Sequence, residues 1–202
     1  MKSNFKHRTQ PYFFIIFLIL FAPQLFAQDI EFNKQDEQLV LQNPDLVLWH
    51  VKALTAKGQI LHVKVVDKDG KHHPVKAIQE TENAQILDVK SFINGKQLPI
   101  KLLPKKNERY YPFKAIAEDG TLIDIKALGE DGALFDVVGV IKIGNVVHIR
   151  AVNPEGALYN IIAISPSGRT NDVSGIKMMK EEVEATFRGV PIFSHVKAIT
   201  RQ

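Results

Sequence analysis

The chain has 202 residues, with 26 Lys and Arg against 22 Asp and Glu, and it has no cysteine. The absence of cysteine excludes disulfide bonds, a thiolate nucleophile and lipid attachment at a cysteine. Three cations lie in the first eight residues; without them the balance falls to 23 against 22, and this small charge disfavours nucleic-acid binding.

The N-terminus has the pattern of a secretory signal peptide. Cations at Lys2, Lys6 and Arg8 precede an apolar run over residues 13–22, and residues 25–27 (Leu-Phe-Ala) fit a cleavage site. The run is too short to span a bilayer and no later segment is long and apolar enough, so we expect no transmembrane span after cleavage. The alternative is an uncleaved membrane anchor.

These features predict three segments: a cleaved signal peptide at 1–27, a lead-in segment at 28–47 and a β-repeat domain at 48–202. The predicted location is secreted or periplasmic. The form of the leader and the absence of an Asn-x-Ser/Thr site are typical of a protein from a Gram-negative bacterium.

A short phrase then recurs along the chain: a polar residue, a β-branched or aromatic residue, a lysine and a small residue. Its first residue falls at 50, 62, 74, 88, 99, 112, 124, 136, 148 and 160, and it returns at 195. We name its first position the polar slot and its third position the lysine slot. A period of 12 residues with small slips indicates a repeat architecture.

The repeats have the features of β-strands. Twelve residues accommodate a strand of about six residues and a turn, and apolar and polar residues alternate between the turns, as in residues 122–128. A glycine turn interrupts each run before a helix can form. The turns are Lys57-Gly58, Asp69-Gly70, Asn94-Gly95, Asp119-Gly120, Asp131-Gly132, Glu155-Gly156 and Ser167-Gly168.

The predicted fold is therefore all-β: an antiparallel meander of about 12 short strands, built from a 12-residue (24-residue hairpin) repeat and arranged as a sandwich or closed barrel. A β-trefoil and a β-solenoid are the alternatives. Outward flanks such as Leu122 and Leu128 favour a closed form over an open sheet with exposed edges. Prolines in the polar slot, at Pro74, Pro99 and Pro112, predict strand starts or sheet edges.

The C-terminal part is ambiguous. Residues 176–187 have apolar residues at helical spacing, but the second half of this segment also alternates as a strand would. We favour a strand that pairs with residues 190–199 across the turn Arg188-Gly189.

The polar slot is a candidate metal site. Histidine and aspartate recur in it, and opposed side chains on neighbouring strands lie close enough to share a zinc or copper ion. The alternative is cross-strand pairing of these residues with the lysines. His72-His73 is a weaker candidate, expected to be exposed in a turn. The candidate ligands are His50, His62, His148, His195, Asp88, Asp124 and Asp136.

The lysine slot is a candidate binding surface. A row of cations at one register and on one face is suited to an acidic polysaccharide, a lipopolysaccharide phosphate or an acidic protein. The alternative is a Lys–Asp ladder that keeps the surface soluble. Aromatic residues among the cations are few, which argues against nucleic acid as a partner. The candidates are Lys52, Lys64, Lys76, Lys90, Lys101, Lys114, Lys126, Arg150 and Lys197.

Sequence motifs of catalysis are absent: there is no nucleophile elbow, no His-Glu-x-x-His and no phosphate-binding glycine loop. The sequence therefore favours an exported, non-enzymatic β-repeat protein that binds or scaffolds at the cell envelope, without a cofactor. One alternative is a periplasmic zinc- or copper-binding protein. The other is an envelope carbohydrate-active hydrolase with the acidic stretch 181–184 as its source of carboxylates. The sequence leaves the oligomeric state open.

Overall fold

The structure, a computed structural model, describes residues 46–106, 108–177 and 185–200. These residues form strands and turns without a helix, and so without any helix that is able to cross a membrane. The predicted signal peptide and nearly all of the lead-in segment lie outside the described residues. The strands are β1 Val47–Leu54, β2 Ile60–Val66, β3 His72–Gln79, β4 Ile86–Ile93, β5 Lys96–Leu102, β6 Tyr111–Ile116, β7 Leu122–Leu128, β8 Leu134–Ile143, β9 Val146–Val152, β10 Leu158–Ile164, β11 Thr170–Ile176, β12 Ala185–Phe187, β13 Val190–Ile192 and β14 Ser194–Thr200.

The turns form where the glycines predict them. In the turn between β2 and β3, Gly70 adopts φ 75° and its N–H donates to the carbonyl of Asp67 at 3.0 Å. The amide of Asp67 in turn donates to the carbonyl of Lys71 at 3.1 Å. A residue in the left-handed region after a tight turn is the usual position for glycine. All seven predicted turn glycines have positive φ, so this prediction is confirmed.

Twelve strands, β1 to β11 and β14, form one antiparallel sheet in which each strand pairs with three others. One side of a strand faces a single neighbour, and the other side is shared by two neighbours, one for each half. Strand β1, for example, has β10 on one side, and on the other it has β3 along residues 47–50 and β2 along residues 52–54. None of these twelve strands has a free edge, which removes the aggregation hazard of exposed strand edges.

The triple pairing divides the sheet into four junctions, at each of which three strands meet. Junction 1 joins β1, β2 and β3; junction 2 joins β4, β5 and β14; junction 3 joins β6, β7 and β8; junction 4 joins β9, β10 and β11. One further strand pair links every two junctions: β3–β4, β2–β7, β1–β10, β5–β6, β11–β14 and β8–β9. The junctions are thus connected like the four corners of a tetrahedron.

The predicted all-β antiparallel meander is confirmed, since consecutive strands of the twelve pair throughout. The strands that the structure describes lack the parallel pairing of a β-solenoid, and their four sets of three differ from the threefold repeat of a β-trefoil.

The expectation for the prolines is wrong in two cases. Pro74 and Pro99 lie inside β3 and β5, which have partners on both sides. They occupy the point at which the partner changes from one half of the strand to the other, where the ladder is interrupted and a missing donor is tolerated.

The core consists of the second and fourth positions of the phrase, which point inward. In β11, Asp172 and Ser174 take the positions of the polar and lysine slots, with Val173 between them. The β-branched or aromatic residue after each polar slot is no more than 3% exposed, and together these residues form one apolar cluster. This alternation is what period-two patterning predicts. The residues are Val51, Val63, Val75, Val89, Ile100, Phe113, Ile125, Val137, Ile149, Ile161, Val173 and Val196.

The fourth position is small in most repeats, but β5 carries the fully buried Leu102 there. The corresponding positions on two other strands are Gly139 and Gly175. A Cβ at Gly175 would lie 2.4 Å from a Leu102 methyl carbon and 2.6 Å from Ser194 Oγ, and one at Gly139 would lie 2.9 Å from a Val147 methyl carbon and 3.1 Å from the same Leu102 carbon. The two glycines thus leave room for the large side chain of Leu102 in a close-packed core.

The C-terminal ambiguity resolves as strand over the residues that the structure describes. Strand β12 pairs with β13 across Arg188-Gly189, both of which have positive φ, as a two-residue hairpin turn requires. Residues 178–184 lie outside the described part. The predicted strand 190–199 is divided at Phe193, whose amide donates to the carbonyl of Leu102 at 2.7 Å and returns the chain to the main sheet.

Candidate functional site

The polar and lysine slots of three strands meet on the outer face of each junction. Because each strand contributes one polar slot and one lysine slot, six positions alternate around a ring. At junction 1 the register places Lys52 opposite His62, Lys64 opposite Pro74 and Lys76 opposite His50. We call these six positions the outer ring of a junction.

The outer ring of junction 1 holds three lysines, two histidines and a proline, and none of its six positions is a carboxylate. The ammonium of Lys52 donates to Nδ1 of His62 at 2.8 Å, and that of Lys76 donates to Nδ1 of His50 at 3.0 Å. Lys52 is 9% exposed and Lys76 is 5% exposed. Burial of an ammonium group costs free energy, which its hydrogen bonds and the charges around it have to offset.

A small cavity of about 20 Å³ lies between the three strands of junction 1. Its volume is enough for one water-sized group. Its lining consists of the six ring positions and the inward residues Val51, Val63 and Val75.

The outer ring of junction 2 contains both a lysine–aspartate ion pair and a lysine–histidine hydrogen bond. Lys197 forms an ion pair with Asp88, and Lys101 donates to Nδ1 of His195 at 2.5 Å. Burial, with Lys90 and Lys197 nearby, lowers the pKa of Lys101 to about 8. Burial, followed by the charges of Lys101 and Lys197, lowers the pKa of His195. Burial opposes the ionisation of Asp88, but Lys197 outweighs it and lowers the pKa of the carboxyl.

Junction 3 is balanced in charge. Lys114 forms an ion pair with Asp124, and Lys126 forms one with Asp136. The hydrogen bond from Lys114 lowers the pKa of Asp124. Each lysine of this outer ring therefore has an aspartate of its own, as in the Lys–Asp ladder that the sequence allows.

Junction 4 has the fewest charges. Arg150 lies opposite Asn160, Asp172 opposite Ile162 and His148 opposite Ser174. The guanidinium of Arg150 donates to its neighbour's carbonyl, that of Ile149, at 2.8 Å. The ring positions other than Arg150 and Asp172 carry apolar or neutral side chains, so this ring has little capacity to attract an ion.

The structure distributes the predicted metal ligands over all four junctions. No junction receives more than two of them, and the described residues contain no group of three or more His, Asp or Glu side chains that is able to hold a metal ion. Most of the predicted ligands contact a lysine across the strand pair instead, as the alternative interpretation expects.

The lysine slots also do not form one row on one face. They are divided among the junctions, with three at junction 1, three at junction 2, two at junction 3 and Arg150 at junction 4. The register nevertheless brings lysines of different junctions together, because Lys64 lies opposite Lys126, Lys76 opposite Lys90 and Lys101 opposite Lys114. The sequence alone contains no signal for these pairs.

Two other polar features have structural roles. His73, expected to be exposed, is 1% exposed and contacts the Asp67 carboxylate at 2.7 Å, which lowers the pKa of that carboxyl. A cavity of about 310 Å³ lies beside Gln79, whose amide is held by Trp49 and by the turn after β3. The acidic residues of the hydrolase alternative, Glu181, Glu182 and Glu184, lie outside the described residues.

Comparison with known protein families gives a match over most of the chain. A family model described as a family of unknown function (DUF7486) matches residues 45–199, which run from just before β1 to the next-to-last residue of β14. No curated protein and no solved structure is significantly similar to the chain.

Proposed function

Since the chain belongs to the family of unknown function DUF7486, we propose from its own surface chemistry that it is an exported, non-enzymatic binding module that holds an anionic group of a cell-envelope partner at junction 1. The observation that carries this proposal is the composition of the outer ring: three lysines, two histidines and no carboxylate. Junction 3 has the same backbone arrangement but an aspartate for each lysine. The difference therefore lies in side-chain chemistry and not in the fold.

Burial supports the choice of an anion as ligand. The stems of Lys52 and Lys76 lie within the sheet surface, and their ammonium groups donate to imidazole nitrogens. An imidazole that accepts at Nδ1 carries its proton, when neutral, at Nε2. An anion above the ring thus meets three ammonium groups, and a partly desolvated site strengthens their attraction for it.

The non-enzymatic part rests on the ring carboxylates that the structure describes, while the acidic stretch 181–184 lies outside the described residues. Asp88, Asp124 and Asp136 each contact a lysine, and the pKa values of Asp88 and Asp124 are lowered. A general acid for glycoside hydrolysis needs the opposite shift, a raised pKa. These carboxylates are suited to ion pairing.

The envelope location rests on the predicted signal peptide. N-terminal sequencing of the protein from the extracytoplasmic fraction of a Gram-negative host is expected to begin at Gln28. Retention of the intact N-terminus in the cytoplasm contradicts this part of the proposal.

Binding at junction 1 is testable with a short anion of defined structure. We expect a trisulfated heparin disaccharide to cause saturable NMR shifts at the amides of the three ring segments, 50–52, 62–64 and 74–76. The triple variant Lys52→Gln, Lys64→Gln, Lys76→Gln is expected to weaken binding at least about tenfold, because charged hydrogen bonds contribute roughly 1.5–3 kcal/mol each.

The matched control is the double variant Lys114→Gln, Lys126→Gln at junction 3, which is expected to bind the disaccharide as the wild type does. Equal losses in both variants, or shifts spread over all four junctions, would show that bulk charge and not junction 1 holds the anion.

A further inference from the structure

We infer that a second copy of this chain covers a ring of exposed aliphatic side chains, and that the protein forms a dimer with two-fold symmetry. This inference is independent of the anion site at junction 1, because it rests on a different surface. The ring lies between junctions 1, 3 and 4, and we call it the apolar ring. It consists of Leu54, Ile60, Leu128, Leu134, Val152 and Leu158.

Three hairpins build the apolar ring, and each contributes the two residues that flank its turn. The two residues of a hairpin lie directly opposite each other, about 5 Å apart at Cβ. The pairs are Leu54–Ile60 of β1 and β2, Leu128–Leu134 of β7 and β8, and Val152–Leu158 of β9 and β10.

The strand pairs that link the junctions join the three hairpins into a closed ring. On β2 and β7, for example, Leu128 lies opposite His62, which makes it a diagonal neighbour of Ile60. The registers of β8 with β9 and of β1 with β10 connect the other hairpins in the same way. Diagonal neighbours are about 7–8 Å apart, within reach of long side chains. The six side chains therefore form one continuous apolar surface.

The apolar ring is exposed to solvent. Leu54 is 40% exposed, Ile60 39%, Leu134 51% and Leu158 44%, and the other two members are half-buried. These four are half of the eight large apolar residues that are exposed in the described part of the chain. Single exposed apolar residues are common on a monomer, but a contiguous group of them marks an interaction surface.

The turns around the apolar ring carry charges. Lys57 lies in the turn after β1, Glu130 and Asp131 lie in the turn after β7, and Glu155 lies in the turn after β9; all four residues are exposed. An apolar centre with a polar rim is the usual anatomy of a protein–protein interface, and the interfaces of homodimers are the more apolar ones. The ring therefore has the composition of a surface that binds its own copy.

The rim charges select one arrangement of the two copies. In a two-fold dimer the same surface meets itself, so one turn lies on the axis and the other two exchange partners. An axis through the turn after β9 sets Lys57 against Glu130 and Asp131 of the second copy, twice in each dimer, and places only Glu155 beside its own copy. An axis through the turn after β7 places two acidic residues beside their own copies, and one through the turn after β1 sets Lys57 against Lys57. The first axis gives the best charge complementarity.

Sedimentation velocity of the purified protein tests the dimer. We expect a reversible monomer–dimer equilibrium with a dissociation constant on the order of micromolar, as small interfaces give. Leu134→Asp puts one charge from each copy into the apolar centre and is expected to weaken the dimer at least about tenfold. Because Leu134 is 51% exposed in the single chain, the variant is expected to keep the circular dichroism spectrum of the wild type.

The matched control is Leu122→Asp. Leu122 is 43% exposed and begins β7 two residues after a turn glycine, as Leu134 begins β8, but it lies outside the apolar ring and opposite the fully buried Ile116. The control is expected to leave the dissociation constant unchanged. Equal weakening by both variants, or by neither, would overturn the apolar ring as the interface. A monomer at every concentration would overturn the second copy as its occupant.

The axis has a test of its own. Lys57→Glu is expected to weaken the dimer about threefold or more, since each dimer loses two attractive contacts at the rim. Addition of Glu130→Lys and Asp131→Lys to the same chain again sets opposite charges against each other and is expected to recover the affinity of the wild type. A dimer that responds to Leu134→Asp but does not recover in this way contradicts the axis. Disaccharide binding at junction 1 is a separate measurement, so failure of the dimer leaves the proposed function intact.

Discussion

Junctions 1 and 3 have the same backbone plan and different outer rings. In both, three antiparallel strands meet and buried apolar residues such as Val63 and Ile125 point inward. Outside, the lysines of junction 1 lie opposite histidines and a proline, while those of junction 3 form ion pairs with Asp124 and Asp136. The inward positions thus specify the fold, and the outward positions are free to carry function.

The variant with the largest expected effect tests whether the inward-pointing residues define the fold. Leu102→Ala removes a fully buried side chain from the space that Gly139 and Gly175 leave for it. We expect the free energy of unfolding to fall by about 3–5 kcal/mol, because the space cannot collapse fully. Urea denaturation measures this loss. Disaccharide binding at junction 1 is expected to persist at temperatures at which the variant is folded.

A second substitution, at Gly175, tests the packing around Leu102 more directly. Gly175→Ala alone is expected to cost about 1–3 kcal/mol through overpacking. Combined with Leu102→Ala it is expected to cost less, because the added methyl group no longer meets the Leu102 methyl carbon and only the Ser194 hydroxyl has to move. Strictly additive losses in the double variant would contradict the inferred close packing of these two positions.

An exchange of the outer rings is expected to have the next largest effect. His50→Asp with His62→Asp gives junction 1 the Lys–Asp alternation of junction 3. We expect the disaccharide affinity to fall at least about tenfold, since two carboxylates replace neutral acceptors beside the bound anion. The unfolding free energy is expected to change by less than about 1 kcal/mol.

The reverse exchange, Asp124→His with Asp136→His, is the control for position. It is expected to give junction 3 measurable affinity for the disaccharide. If neither exchange changes binding, the outer rings do not determine where the anion binds.

The outer ring of junction 2 is intermediate in composition between those of junctions 1 and 3, and its contribution to stability depends on pH. The folded pKa of Lys101 is about 8, below its ordinary value of 10.5. Between these values the unfolded chain retains a proton that the folded chain has lost, so stability rises with pH across this window. Lys101→Met is expected to remove this rise and to stabilise the protein near pH 7 by about 1–2 kcal/mol. Denaturation at several pH values compares the variant with the wild type; an unchanged pH slope argues against the shift.

The smallest expected effect is a change in stability at acidic pH. The lowered pKa of Asp124 contributes stability that is present above its ordinary pKa of 3.8 and is lost as the pH falls through the folded value. Asp124→Asn is expected to reduce the acid-induced loss by less than about 1 kcal/mol, because half of the side chain is exposed. Asn160→Ser, in the polar slot of junction 4, removes no titratable group and is expected to leave the loss of stability in acid unchanged.

Much of the fold was predictable because its signals are local. Glycine at turns and alternation between them depend on φ preferences and on period-two geometry, and both are visible in residues such as Gly120 and the strand that follows. The misassigned prolines show the limit. Pro74 resembles an edge residue, but only the tertiary structure reveals that strands change partners at its position.

The residue types of the candidate site were predictable from the sequence, but their arrangement in space was not. The polar and lysine slots are the positions that meet, yet the sequence suggested one row and the structure forms four rings. Lys64 and Lys126 are distant in the sequence and belong to different junctions, and their opposition depends on the pairing of β2 with β7. Which of several chemically similar strands pairs with β2 depends on contacts between residues that are distant in the sequence.

The sequence by itself determined that the protein is an antiparallel β-repeat structure with apolar residues inside and lysines outside, because turn geometry and alternation act within about a dozen residues. Only the tertiary structure decided which slots share a junction, and so which lysines face carboxylates and which face histidine or another lysine. The physical reason is that all twelve strands carry nearly the same phrase, so local preferences cannot distinguish their partners. The closure of the sheet and the fitting of residues such as Leu102 against Gly139 and Gly175 depend on the whole core.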